Sequence, residues 1–175
     1  MNLLIKYLDY TLSRLSILLM TVLVLTVLLQ VFMRYIVGSP VTFTEELSRF
    51  LLIWLGLLAA SYAYRQRSHL ALDLLILKLK GRQKVTLNVV IHTLIGLFSL
   101  AVLVIGGIQL VYLTYILEQY SSALEISMAI VYISVPLSGV AITIYAVDFI
   151  LQELGWRESE VITETETDPK DLHTG

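Results

Sequence analysis

Residues 34–73 read RYIVGSPVTFTEELSRFLLIWLGLLAASYAYRQRSHLALD, and this stretch decides the fold. It sets Glu45, Glu46 and Arg49 at the mouth of an apolar run that is too short to cross a bilayer alone. The charge-free part, residues 50–64, holds 15 residues. As a helix it would extend about 22 Å at ~1.5 Å per residue, against a hydrocarbon core about 30 Å thick. Either the bilayer thins there, or the helix begins earlier and carries its charges into the membrane boundary. Charges in that position face protein or water rather than lipid. The stretch suits a chain that sits against another membrane protein.

The rest of the chain has the same character. Of its 175 residues, 57% are apolar and only 15% charged, and mean hydropathy is +0.81. That composition excludes a soluble globular domain. Charged residues divide the chain into four apolar spans, at 15–33, from Phe43 to 64, at 85–117 and at 126–147. Strands of a β-barrel would give alternating runs of about ten residues, so the spans read as helices. The fold class is all-α integral membrane, with four transmembrane helices and an interfacial amphipathic helix between the second and third.

Lys and Arg set the expected orientation. The connection 65–84 carries Arg65, Arg67, Lys78, Lys80, Arg82 and Lys84 against one acid, Asp73, whereas the connection 118–125 has Glu118 and Glu125 and no base. The positive-inside rule then puts the N-terminus and the middle connection in the cytoplasm, and four spans return the C-terminus to the same side. The first apolar run ends in QVFMRY, not in a small-residue cleavage site, so it reads as a retained helix and not a signal peptide. The chain has no cysteine, which removes disulfides and thiolate metal sites.

Along the chain, residues 1–14 are expected at the cytoplasmic interface, leading into a first helix over 15–35. Gly38, Ser39 and Pro40 break it. Thr42-Phe43-Thr44-Glu45 has capping-box spacing, which places both glutamates in the first turn of a second helix over 43–64, where the helix dipole favours anions. Glu45 and Arg49 are four residues apart and Glu46 and Arg49 three, so either pair can meet on one helix. The segment HLALDLLILKLKGRQK within 65–84 can lie in the cytoplasmic interface with its leucines toward acyl chains. Residues 85–117 predict one long, tilted third helix. Pro136 lies near the middle of the fourth span, over 126–147, and predicts a kink. From 148 the chain becomes acidic, and disorder is expected after Trp156.

Arg34-Tyr35, Pro40, the Glu45-Glu46 pair, Arg49, Trp54, Gly56 and the His69 to Asp73 pair, in that order and spacing, resemble the small membrane subunit of tripartite ATP-independent periplasmic (TRAP) transporters. The four-span layout, the basic middle connection and Pro136 fit as well. The resemblance covers roughly residues 10–155. It implies sodium-coupled uptake of organic acids by three components. A periplasmic solute-binding protein docks at the outer face, a large many-span subunit holds the substrate and sodium sites, and a four-span subunit like this chain packs on the large one. The implied role is a structural partner in a phospholipid membrane, with no enzymatic activity, cofactor, metal or nucleic acid.

The candidate contact residues each have a plainer reading. Glu45, Glu46 and Arg49 either meet the large subunit or the binding protein, or are solvated by headgroups. Adjacent glutamates on a helix point about 100° apart, and no other acid in the spans joins them, which argues against a catalytic carboxylate pair. His69 and Asp73 can fix the interfacial helix by a hydrogen bond. His92 is the one histidine in any span, too few for a haem held by two axial ligands across a bundle. Gly56 with Ala60, and Ala59 with Ala63, form small-residue faces that pack either this chain's own helices or a partner. Trp54 reads as a packing or belt residue, and Arg34 as the charge that closes the first span. Two other classes of function stay open: a self-sufficient homo-oligomeric channel or carrier, and an anchor or assembly subunit of an unrelated complex.

Overall fold

A computed structural model of the chain describes residues 2–38, 42–66 and 82–166. Residues 67–81, which hold the body of the expected interfacial helix with His69 and Asp73, lie outside them, as does Pro40. The first helix, α1 (Asn2–Phe32), runs unbroken through the segment 1–14 and ends in a wider turn of helix over Met33–Val37, closed by Gly38 at φ 72°. Only glycine takes that left-handed backbone without a steric penalty. Helix α2 spans Thr42–Arg65. Helix α3 (Arg82–Phe98) continues through a wide stretch, Ser99–Gly106, into α4 (Gly107–Ile116). A short α5 (Met128–Tyr132) precedes the long α6 (Ser134–Glu166).

These helices supply four segments long and apolar enough to cross a membrane: Ile5–Val37, Thr42–Arg65, Val85–Ile116 and Met128–Gly155, here spans 1 to 4. Span 1 packs on span 2, span 2 on span 4, and span 4 on span 3. Span 4 is the hub. In its most apolar window 39% of residues are buried, against 6% in span 3 and 11% in span 1, so the outer helices leave most of their apolar surface to lipid or to another protein.

Small residues let span 4 approach span 3 so closely. A methyl built on Gly139 would lie 2.7 Å from Cβ of Leu103, and one on Gly107 would lie 3.0 Å from Pro136. One on Gly96 would come within 3.1 Å of Ala146. At the same crossing the Ser99 hydroxyl donates to the Gly139 carbonyl at 2.8 Å, where span 3 takes its wide stretch. Leu58, Ser61, Ser138, Tyr145 and Phe149 fill the centre of the bundle, each essentially without exposed surface.

The fourth span is interrupted at Ile133, between α5 and α6, about one turn before Pro136. Pro136 has no N–H to give the carbonyl of Tyr132, four residues back, and the chain changes helix immediately after that residue. The fourth span also extends past 147, so Asp148 lies inside it, and α6 runs on to Glu166 through residues expected to be disordered. A helix already nucleated by a packed span adds each further residue at little cost. Residues 167–175 lie outside the described residues.

Candidate functional site

The chain's polar side chains gather at the two ends of span 2. At its first end, Glu46 is half-buried and reaches across to the connection 117–127 between spans 3 and 4. Its Oε2 accepts a hydrogen bond from the Ser121 hydroxyl and another from the Ala123 N–H at 3.0 Å. The connection is itself well ordered by backbone bonds, Ser121 N–H to the Ile126 carbonyl at 3.0 Å and Met128 N–H to that of Gln119 at 2.9 Å. Glu118 and Glu125 turn it with φ of 45° and 52°, and both are exposed. Glu46 therefore serves as an internal tie.

Its neighbour Glu45 points elsewhere. With Arg49, Gln30 and Ser48 it borders a groove of about 370 Å³ between spans 1 and 2, completed by Leu23, Val27 and Leu52. The Ser48 hydroxyl donates to the Glu45 carbonyl at 3.0 Å and lies 3.5 Å from Gln30 Oε1. Arg49 is exposed and makes no ion pair within 4.0 Å among the described residues. Arg34 is exposed at the end of span 1.

Following the helix down from Arg49, the positions at spacings of three and four are Leu52, Gly56 and Ala60, all exposed. A methyl built on Gly56 meets nothing within 4 Å. This small-residue face is left open once the chain's own bundle has formed. Trp54, by contrast, is half-buried against the core cluster around Leu58 and Tyr145.

The other end of span 2 is closed. Arg65 pairs with Asp9 of span 1 at 3.4 Å and Asp148 of span 4 at 3.1 Å. Tyr145 donates its hydroxyl to the second oxygen of Asp9 at 2.6 Å, and the Gln152 amide donates to Asp148 at 2.6 Å. The Arg65 guanidinium also lies over the rings of Tyr145 and Phe149, at 5.7 and 5.4 Å. Beside this node, His92 stacks on Phe149 with centroids 4.8 Å apart and shares a 2.8 Å hydrogen bond with the Tyr64 hydroxyl. Asn88 donates to Glu153 at 3.0 Å, tying spans 3 and 4 at the same end.

Three helices thus meet at one arginine. In the sequence alone Arg65 stands as one base of a topology signal and Asp148 as the limit of span 4. A usable signal was present: Asp9, Arg65 and Asp148 fall at the same end of a four-span bundle, with opposite charges on different helices.

The Ser61 hydroxyl also holds the fold together. Ser61 donates to the carbonyls of Leu57, at 2.9 Å, and of Ser138 across the helix pair, at 3.3 Å. Among the described residues no group of three or more His, Cys, Asp or Glu side chains is arranged to hold a metal ion.

Comparison with known proteins agrees with this architecture. The family model for tripartite ATP-independent periplasmic transporters, DctQ component, matches residues 23–155. A protein of Haemophilus influenzae, assigned as a TRAP transporter small permease protein, is 28% identical over 136 residues, covering 78% of this chain and 81% of that protein. A second match to a protein so assigned in that organism is 34% identical over 79 residues, 45% of this chain and 49% of its counterpart. The family match takes in nearly half of span 1, all of spans 2 and 3, and span 4 to its end. The chain therefore belongs to the DctQ-component family of tripartite ATP-independent periplasmic transporters and is a multi-pass membrane protein of the small permease type.

Proposed function

We propose that this chain is the scaffold subunit of a secondary transporter that takes up organic acids, driven by sodium, across a bacterial inner membrane. In this reading it packs against a large many-span subunit that carries the solute and the ions, while a periplasmic solute-binding protein docks at the outer face. Both termini and the basic connection face the cytoplasm, as the Lys and Arg distribution asks. The ordered connection 117–127 and the groove at Arg49 then face outward. The organic acid and the sodium come from the family resemblance and not from any site in the spans.

The observation that carries the reading is the open face of span 2. Gly56 and Ala60 stand on the side opposite the buried Leu58 and Ser61. In a bilayer, helices associate through close van der Waals contact, which small residues permit, so such a face suits a partner helix better than lipid tails. The buried serines support a static role, because their hydroxyls hold helices together instead of lining a path. Arg34, exposed at the outer end, and Trp54, which backs the open face from the core side, belong to the same contact region, and Arg49 marks its outer edge beside the groove. His69 and Asp73 are proposed to set the connection that follows.

The test is to tag the chain in its native host, solubilise it gently and identify what copurifies. A stoichiometric many-span membrane protein, lost when Gly56 and Ala60 are both changed to Leu, is the expected result. Recovery of the chain alone as a stable oligomer, cross-linked to itself through positions 56 and 60, would overturn it in favour of a homo-oligomeric channel or carrier.

A further inference from the structure

The groove between spans 1 and 2 has an internal order that the scaffold role does not explain. Its polar members lie toward the turn end: Gln30 near the end of span 1, and Glu45 and Arg49 in the first two turns of span 2. Its apolar members lie deeper. Val27 and Leu23 precede Gln30 by three and seven residues, or roughly 4.5 and 10 Å along the helix. Leu52 follows Arg49 by about one turn on the same face. Moving inward along the membrane normal, the groove therefore passes from charge to hydrocarbon, as a phospholipid does.

The charges narrow the class of lipid. A carboxylate and a guanidinium one helical turn apart complement a headgroup that carries an ammonium and a phosphate. Arg49 suits the phosphate, since guanidinium–phosphate bonds are charge-assisted and geometrically specific, and the Gln30 amide can add a donor. Glu45 suits an ammonium that still bears hydrogens. A trimethylated ammonium offers it no N–H, and a headgroup with net negative charge leaves it facing an anion. The depth is also right. The charge-free part of span 2 is shorter than a hydrocarbon core, so Glu45 and Arg49 sit at the headgroup boundary.

We propose that this groove is a specific site for one phospholipid with a primary-ammonium, zwitterionic headgroup. Glu45 receives the ammonium, Arg49 and Gln30 hold the phosphate, and one acyl chain lies along Val27, Leu23 and Leu52. The inference rests on the proposed function to this extent: the partner helix covers Gly56 and Ala60 and leaves Leu52 and the groove to lipid.

The experiment is native mass spectrometry of the full-length chain from detergent micelles. The chain is incubated with phosphatidylethanolamine, phosphatidylcholine or phosphatidylglycerol of identical acyl chains, and lipid retained per chain is counted. One phosphatidylethanolamine is expected to be retained about tenfold more than either of the others, the size of effect that one or two charged hydrogen bonds give. Glu45→Gln should abolish the preference over phosphatidylcholine, and Arg49→Gln should lower retention of all three. Val27→Trp, which fills the apolar part from an exposed position, should cut retention with both charges intact. Equal retention of the three lipids, a preference unchanged in Glu45→Gln, or retention unchanged in Arg49→Gln would overturn the proposal. So would binding of soluble phosphoethanolamine as tight as that of the lipid, or a photo-crosslinker at position 52 that captures a protein helix in native membranes.

Discussion

Span 2 carries an arginine toward each end, and the two are used in opposite ways. Arg65 is drawn into the bundle, paired with carboxylates from two other helices and covered by two aromatic rings. Arg49 is exposed beside an open groove. The two lie sixteen residues apart, which at 3.6 residues per turn turns them about 160° from each other around the axis. Helical phase alone therefore sends one inward and the other outward. The closed end fixes the fold, and the open end is left for lipid or partner. A charge at a membrane boundary is thus no guide to its job until its face is known.

The sharpest way to break this contrast is to unpair Arg65. Asp148→Ala leaves a guanidinium in a mostly buried node with one of its two carboxylates gone and should cost about 3 kcal/mol. Arg49→Ala should cost less than about 0.5 kcal/mol, as an exposed position does. Denaturant unfolding of both variants in the same micelles measures the difference, and equal losses would erase the distinction between the two ends.

A smaller effect is expected at the crossing of spans 3 and 4. Gly139→Ala forces a methyl to within 2.7 Å of Leu103 and should destabilise by about 1–3 kcal/mol. Gly56→Ala meets nothing within 4 Å and should leave the isolated chain no less stable, since alanine favours the helix over glycine. If the two glycines behaved alike, the open face would not be open.

Glu46→Gln weakens the tie to the 117–127 connection without touching the core. The loss should be small and local, read as faster amide hydrogen exchange at Ala123 with no change at the Arg65 end. Unaltered exchange at Ala123 would mean that the connection holds itself by its own backbone bonds.

The class of fold was legible in the residues because a bilayer imposes so strict a rule. Backbone groups inside hydrocarbon must bond within their own segment, so long apolar runs read as helices, and the described residues hold four helices long and apolar enough to span. The family was legible through the ordered set around Glu45, Glu46 and Arg49, and the family match confirms it. The division of labour among those residues was not. Glu45 and Glu46 are neighbours in sequence, yet one borders a groove and the other ties down a connection seventy-five residues away. The reach of span 4 past Asp148 was hidden for a related reason: a charge reads as the end of a span unless its counter-ion can be seen.

What the sequence determined by itself is therefore the number, nature and order of the membrane helices, and the face on which each residue stands. Periodicity and transfer free energy are local properties that need no partner to be read. What only the tertiary structure decided is which face looks inward. That depends on Gly139 admitting span 3 and on Asp9 and Asp148 converging on Arg65. Such contacts join residues distant in sequence, and their energy exists only once the helices have met.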